Sequence, residues 1–311
     1  MKGKKLLIFM MGVILCTRLF AQGGSFVSIP LNARNVSMGN TYIAQENSNA
    51  VFTNLAASSI SSKSFEVNLN YRPWLNELSN DYRLSGISTY FAIDNKNSIA
   101  LGFKNYSMPD YIVTDKDGND AGTYNPNEFE LALGYAYRIS NKSAVSLSIQ
   151  YLGSDLGDNA KANTIFFDLG YKSSYRQLEY GFTIKNLGPE LKFDNNSSQL
   201  PLTVGAGMAY SGKLSQKHAI ITSLDFAHMS LNDEDGFSAG IGLEYSYDKI
   251  FSLRSGYHFV DDAIGLSFFS AGAGLHVKSF AVDFSYLFSD NILNDSITIT
   301  CSFKLNNKKD K

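Results

Sequence analysis

The chain has little cysteine, proline and tryptophan, and it has no excess of charge of either sign. Its 311 residues include 2 Cys, 6 Pro and 1 Trp, with 27 Lys+Arg against 29 Asp+Glu. This composition excludes a disulfide scaffold and a collagen-like chain, and the near-neutral balance argues against a nucleic-acid-binding surface. The 22 Phe and 18 Tyr also exclude a disordered chain. One large β structure is the reading that this composition favours.

Motifs for catalysis and cofactor binding are also lacking. There is no G-x-S-x-G elbow, no P-loop and no H-E-x-x-H pair. The segment 115–120 resembles part of a calcium loop, but its Gly is misplaced and the closing Glu is missing, so we expect a tight turn. The four histidines have no spacing that suits metal ligation: His218, His228, His258 and His276. We therefore expect no enzyme, no cofactor and no metal site.

Long hydrophobic runs are confined to the amino terminus. A basic start is followed by apolar residues 6–15 and by Ala21, which is the pattern of a Sec signal peptide over residues 1–21. A membrane anchor is the alternative, but about ten apolar residues are too few to cross a bilayer. Lipidation of Cys16 is a further alternative, although Val13 to Leu15 lack the usual small residues. Cleavage leaves 23 basic and 29 acidic side chains, a net charge of −6, and only Cys301.

From Ser64 onward, apolar residues alternate with small or polar ones, which is the period of a β-strand. In one segment Phe129, Leu131 and Leu133 share one parity, and Glu130 and Ala132 share the other. The pattern predicts fourteen strands, at 64–72, 81–93, 97–106, 127–138, 143–152, 163–173, 178–187, 200–210, 218–227, 237–247, 250–258, 265–277, 280–288 and 294–303.

The predicted connections alternate between tight and long. Residues 94–96 and 248–249 are examples of the tight turns, and 107–126 and 188–199 are examples of the longer polar loops. An up-and-down outer-membrane barrel has this alternation, with short periplasmic turns and long extracellular loops. A soluble β-sandwich shows the same strand period but has no reason to sort its loops. Tyrosines near the strand ends also fit interfacial girdles, so we predict an all-β, 14-stranded antiparallel transmembrane β-barrel over residues 63–303.

The parity opposite the apolar one should face the barrel lumen. Its charges have both signs, which suggests cross-strand ion pairs that tie the interior together rather than a dedicated ion pathway. These lumen charges are Glu130, Arg138, Asp168, Lys172, Glu179, Lys185, Asp225, Glu244, Arg254 and Asp283. A barrel of fourteen strands is wider than the eight-stranded barrels that side chains fill, so its interior has room for a plug. Cys301 shares parity with Ile299 and should face lipid.

Residues 22–62 do not alternate and are too long for a simple leader into the first strand. We predict that they form a hatch, a folded segment inside the barrel, in which Gly39 supplies a turn and Arg34 pairs with lumen carboxylates. A periplasmic tail is the alternative. After the last strand, residues 304–311 are expected to form a basic periplasmic tail.

Short motifs through the mature chain resemble the PorV/PorQ family. The hatch motif comprises Ile29, Pro30, Ala33, Arg34, Met38, Gly39, Ala44 and the run 50–56 with Asn54 and Ala56. The segments 118–129, 153–157, 186–188, 200–202 and 253–257 are closer to the PorV branch. The resemblance implies a Bacteroidota outer-membrane protein with a FadL-like barrel, associated with type IX secretion.

By that resemblance, the protein would be a non-enzymatic component that carries cargo from the translocon to a surface attachment complex. Its partners would be outer-membrane lipid, the translocon, attachment-complex proteins and cargo, with no nucleic acid. The longest loop should contact them, since recognition residues lie on loops. The loop residues are Asp115, Asp117, Gly118, Asn119, Gly122, Tyr124, Asn125 and Pro126. The alternative is a FadL-like transporter of small hydrophobic molecules.

Overall fold

A computed structural model describes residues 24–306 apart from 76–77, 158–159, 195 and 232–233. The predicted signal peptide lies outside the described residues. The described residues form two short helices, α1 (Ala33–Ser37) and α2 (Leu55–Ser59), together with 3₁₀ turns at Ser25–Ser28 and Ala50–Phe52. The strands are β1 (Lys63–Pro73), β2 (Arg83–Ala92), β3 (Asn97–Ser107), β4 (Tyr111–Thr114), β5 (Asp120–Tyr124), β6 (Asn127–Arg138), β7 (Ser143–Asp155), β8 (Lys161–Tyr175), β9 (Leu178–Leu187), β10 (Leu191–Lys192), β11 (Ser197–Ser198), β12 (Leu202–Lys213), β13 (His218–Leu231), β14 (Glu234–Tyr247), β15 (Phe251–Val260), β16 (Phe268–Val277), β17 (Phe280–Phe288) and β18 (Ile297–Asn306).

Fourteen of these strands close into one antiparallel barrel, which confirms the predicted fold class. Each strand pairs with its neighbours in chain order, and β1 pairs with β18 to close the sheet. The remaining four strands form two small hairpins, β4–β5 and β10–β11, in the long connections. No helix among the described residues is long and apolar enough to cross a membrane.

The barrel is apolar on its outside and polar on its inside. On β6, Leu131 and Leu133 are 48% and 52% exposed, while Glu130 and Ala132 on the opposite parity are buried. This inverts the arrangement of a soluble protein, where large apolar side chains face the core. The exposed apolar face therefore suits contact with lipid. An alternation with a period of two indicates a β-strand in a membrane barrel just as it does in a soluble protein. Cys301 is exposed on this outer face.

Tight turns gather at one end of the barrel and longer connections at the other. The first strand begins at Lys63 and the last ends at Asn306, at the same end as the tight turns. In outer-membrane barrels the short turns face the periplasm, so this end is the periplasmic rim and the opposite end is the extracellular mouth.

The last strand continues to Asn306, three residues past the end expected at 303. Lys304 pairs with Glu66 in the ladder, so it belongs to the barrel wall rather than to a tail. The remainder of the expected tail, 307–311, lies outside the described residues.

Candidate functional site

Described residues 24–62 lie inside the barrel, and we call this segment the hatch. Helix α1 contacts β15 to β18, and helix α2 contacts β6 to β8 on another side of the lumen. Asn32 caps α1, because its side chain accepts a hydrogen bond from the N–H of Asn35. Helices of five residues are not stable alone, so packing of Val36 and Leu55 against the barrel holds them.

Glycines allow the hatch main chain to approach the wall closely. Gly39 has a φ of 65°, and a Cβ there would lie 2.5 Å from the carbonyl oxygens of Ile241 and Tyr257. Across the contact, a Cβ on Gly240 would lie 2.4 Å from the oxygen of Gly39. Side chains at either position would separate the two segments. Glycine in these wall strands therefore makes room for the hatch.

Charged side chains of the barrel bind the hatch main chain. Asp225 Oδ2 accepts hydrogen bonds from the N–H groups of Tyr42 and Ile43 at 2.7 and 2.9 Å. Lys185 Nζ donates to the carbonyl oxygen of Phe52 at 2.8 Å. Further donors to hatch carbonyls are Arg72 to Pro30, Lys104 to Val27, Lys172 to Ala44, and Arg138 to Ser59 and Ser61. The barrel thus satisfies the polar groups of a segment that has little regular structure.

An ionic network joins the hatch to three strands, β14, β15 and β17, near the periplasmic rim. Arg34 Nε lies 2.7 Å from Glu244 Oε2, which also lies 2.6 Å from Arg254 Nε. Arg254 Nη1 in turn lies 2.7 Å from Asp283 Oδ1. Other cross-strand pairs among the lumen charges are Lys104 with Glu130 at 2.8 Å and Lys172 with Glu179 at 2.8 Å. Some of the charged lumen side chains therefore pair with one another, and many of the others bind the hatch.

The hatch motif residues have different environments. Ala33, Met38 and Ala56 are buried. Asn54 donates through Nδ2 to the carbonyl oxygens of Ile43 and Tyr171, which links two segments of the hatch to strand β8. Ile29 and Pro30 line the extracellular pocket described below. The motif thus maps to contacts between the hatch and its surroundings, not to a single cluster of reactive groups.

Glu46 links the hatch to the first and the last strand of the barrel sheet. Its carboxylate lies 2.6 Å from Lys304 on β18 and 3.6 Å from Lys63 on β1. Partial burial would raise the pKa of Glu46, but Lys304, Lys63 and Arg34 lower it to about 2. Lys63 and Glu66 form a further pair at 2.6 Å.

The longest loop carries the protruding β4–β5 hairpin, which the sequence did not predict. Asp115 Oδ1 accepts from the N–H groups of Asp117 and Asn119, and these bonds, Asn119 first, lower the pKa of Asp115. The turn contains Gly118 with a φ of 84°, and Gly122 follows with a φ of 124°. Among the described residues, no group of three or more His, Cys, Asp or Glu is arranged to hold a metal ion.

The base of the hairpin is fixed to the barrel. Tyr124 donates to Asp155 at the end of β7, and Lys161 Nζ lies 2.8 Å from the same carboxylate. Asn125 binds Asp110 on the other side of the hairpin. Pro126 is buried, whereas the predicted contact residues from Asp115 to Gly122 are exposed. The structure therefore presents these residues to solvent on a hairpin with a fixed base.

An apolar pocket of about 330 Å³ opens at the extracellular mouth above the hatch. Loop and strand-end residues form its apolar walls, including Trp74, Met229, Ile264 and Phe268. Lys185 and Tyr42 contribute polar groups at the hatch side.

Sequence reasoning missed several inward charges on β1, β3 and β6. Arg72, Glu66, Lys104 and Glu128 are all buried, and Glu128 accepts hydrogen bonds from Ser154 and from the N–H of Gly24. The parity rule that identified Glu130 would have placed them inside as well. Lys63, the partner of Glu66, lies only three residues away. The partners of Arg72, Lys104 and Glu128 lie far away along the chain and could not have been found from the sequence.

The fold and the hatch define a plugged outer-membrane β-barrel. The sequence profile of the family described as "Type IX secretion system protein PorV" matches residues 16–233, and the chain belongs to this family. The comparison with curated proteins found no match.

Solved structures of FadL-like barrels have the same fold. The Pseudomonas putida toluene transporter TodX is 12% identical with a TM-score of 0.64, covering 88% of this chain and 97% of its own. The CymD monoaromatic hydrocarbon channel is 11% identical with a TM-score of 0.59, covering 89% and 98%. A Pseudomonas aeruginosa FadL homologue is 10% identical with a TM-score of 0.56, covering 88% and 98%. At these identities the similarity concerns the fold alone.

Proposed function

We propose that the protein is a non-enzymatic component of type IX secretion that binds cargo and carries it from the translocon to a surface attachment complex. Membership of the PorV family supports the association with secretion. The observation that carries the binding role is the β4–β5 hairpin, which projects exposed polar residues from a base fixed at Tyr124 and Asp155. A projecting hairpin is preorganised for contact with another protein, so less ordering entropy is lost on binding.

The proposal is tested by removing the hairpin. Deletion of residues 108–124 should abolish capture of the translocon and of cargo from native outer membranes. The barrel should still fold, because these residues contribute no strand to it. A control is deletion of residues 192–197, which removes the tip of the other small hairpin and leaves the buried Leu191 in place. Partner capture that survives the first deletion, or that is lost equally in both, would contradict the assignment of the binding loop.

A second candidate function is uptake of small hydrophobic molecules. The apolar pocket of about 330 Å³ at the extracellular mouth favours it, because its walls come from the loops, the strand ends and the hatch rather than from the polar mid-lumen. Its volume is at the lower end of the range for ligand sites. Because TodX is a toluene transporter, toluene is a suitable probe for binding and for uptake into proteoliposomes. Saturable toluene uptake would support this function, and Met229→Asp in the pocket wall should then reduce it.

A further inference from the structure

Exposed charges are sorted by sign between the two ends of the barrel. At the periplasmic rim each of the six tight turns carries at least one exposed basic residue: Lys96, Lys142, Arg176, Lys213, Lys217, Lys249 and Lys278. The exposed acidic residues of these turns are Asp94 and Asp248. At the described extracellular mouth the exposed charges are mostly acidic. The exposed acids are Asp81, Asp110, Asp115, Asp117, Asp120, Asp194, Glu234, Asp235, Asp261, Asp262, Asp290 and Asp295. The exposed bases there are Arg83, Lys116, Lys161 and Lys192. The overall composition, which is nearly neutral, does not explain this polarity.

Three of the rim residues occupy backbone positions that do not favour them. Arg176, Lys249 and Lys278 have φ values of 56°, 58° and 56°. Gly or Asn adopts this left-handed conformation at lower cost in a two-residue hairpin turn. Turn formation therefore does not account for basic side chains at these positions.

Most of the rim cations lack an anionic partner among the residues that the structure describes. Lys217 lies 3.7 Å from Asp248, and Arg176 lies over the ring of Tyr175 at 5.4 Å. Within the described residues, no carboxylate lies within 4.0 Å of the other five. Lys249 and Lys278 also line the cavity at the periplasmic opening of the lumen, together with Glu244 and Asp283. Without a close carboxylate, the charges of these five residues are available to a ligand at the rim.

Large apolar side chains accompany these cations on the outer face. Ile139, Tyr175 and Phe280 are 56%, 61% and 65% exposed, and each lies within three residues of a rim cation. Leu214 and Ile250 make the same pairing in two further turns. In a membrane the apolar side chain enters the acyl region while the adjacent cation reaches the headgroups. This combination places the charges at the level of lipid phosphates.

We propose that the periplasmic rim is a binding surface for anionic phospholipid headgroups of the inner leaflet of the outer membrane. Lysine and arginine bind phosphate oxygens through charge-assisted hydrogen bonds, and several such cations near one leaflet favour anionic over zwitterionic lipid. The ring of turns would then fix the depth and the orientation of the barrel.

The test compares two charge-removing variants of the full chain with four substitutions each. The rim variant carries Lys142→Asn, Arg176→Asn, Lys249→Asn and Lys278→Asn, and asparagine suits the left-handed turn positions, so folding is preserved. The control carries Arg83→Gln, Lys116→Gln, Lys161→Gln and Lys192→Gln at the extracellular mouth. Each protein is purified in neutral detergent with equal amounts of phosphatidylglycerol and phosphatidylethanolamine, and bound lipid is counted by native mass spectrometry.

The wild type and the control should retain phosphatidylglycerol several-fold over phosphatidylethanolamine, and the rim variant should lose this preference. Equal retention of both lipids by the wild type would overturn the proposal. So would displacement of the lipid by excess inorganic phosphate, which would indicate a site for a free anion. Loss of a co-purifying acidic periplasmic protein from the rim variant, with lipid retention unchanged, would overturn it in favour of a protein partner.

Discussion

At the scale of single residues, Gly39 places the hatch main chain against the barrel wall. We expect Gly39→Ala to loosen the hatch, because the new Cβ would overlap two wall carbonyls in addition to straining a φ of 65°. The left-handed conformation alone costs about 1–2 kcal/mol, and the overlap should bring the loss above about 2 kcal/mol. Faster proteolysis of residues 24–62 would measure this loss of stability. A lower temperature at which the folded barrel loses its faster migration in gel electrophoresis would measure it as well.

The matched control is Gly118→Ala at the tip of the β4–β5 hairpin. It has a φ of 84°, but a Cβ there would contact nothing within 4 Å. This variant should lose stability through backbone strain alone, without any change in the protease resistance of the hatch. Equal behaviour of the two alanine variants would show that wall contact is not what makes Gly39 necessary.

Asp225 holds the hatch through two backbone N–H groups, those of Tyr42 and Ile43. Asp225→Ala leaves both without an acceptor inside the lumen, at a cost of roughly 1–3 kcal/mol for each. Hydrogen exchange at these two amides should therefore accelerate. Asp225→Asn retains an acceptor oxygen and should show a smaller change. Unchanged exchange in the alanine variant would mean that water replaces the carboxylate without loss.

At the scale of elements, we expect the ion pairs of Glu46 to make closure of the hatch dependent on pH. The pKa of this carboxyl falls from an ordinary 4.5 to about 2 in the folded protein. A lowered folded pKa means that the stabilisation is present above about 4.5 and is lost as the pH falls toward 2. Protease resistance of the hatch should therefore decline across this interval.

Glu46→Gln removes the titrating group and should flatten that component of the pH profile, because no proton is gained. Other buried carboxylates titrate in both proteins, so the difference between the two profiles isolates Glu46. A profile identical to that of the wild type would show that the ion pairs with Lys304 and Lys63 contribute nothing to closure.

The elements differ in how far sequence predicts them. The barrel strands were predictable, because an outer face of Leu131 and Leu133 against an inner face of Glu130 and Ala132 imposes a local period of two. The hatch contacts were not predictable, since the bonds from Asp225 to Tyr42 span more than 180 residues and depend on lumen shape. The β4–β5 hairpin was missed because its short strands, with Gly122 among them, carry little alternation.

At the scale of the whole molecule, the hatch decides whether the barrel is closed. Fourteen strands enclose more space than side chains alone fill in an eight-stranded barrel. Deletion of residues 25–58 would remove α1 and all but the last residue of α2, and would expose wall charges such as Arg254 and Asp225 to water. We expect a steady ionic conductance in planar bilayers for this variant and little current through the wild type.

The control for this prediction is deletion of residues 108–124, which shortens the extracellular surface but leaves the hatch in place. It should remain as closed as the wild type, because neither hairpin strand contributes to the barrel sheet. An equally low current through the wild type and the hatch deletion would contradict the view that the hatch seals the lumen. It would place the barrier in the extracellular loops instead, since these are the remaining segments able to cover the mouth of the barrel.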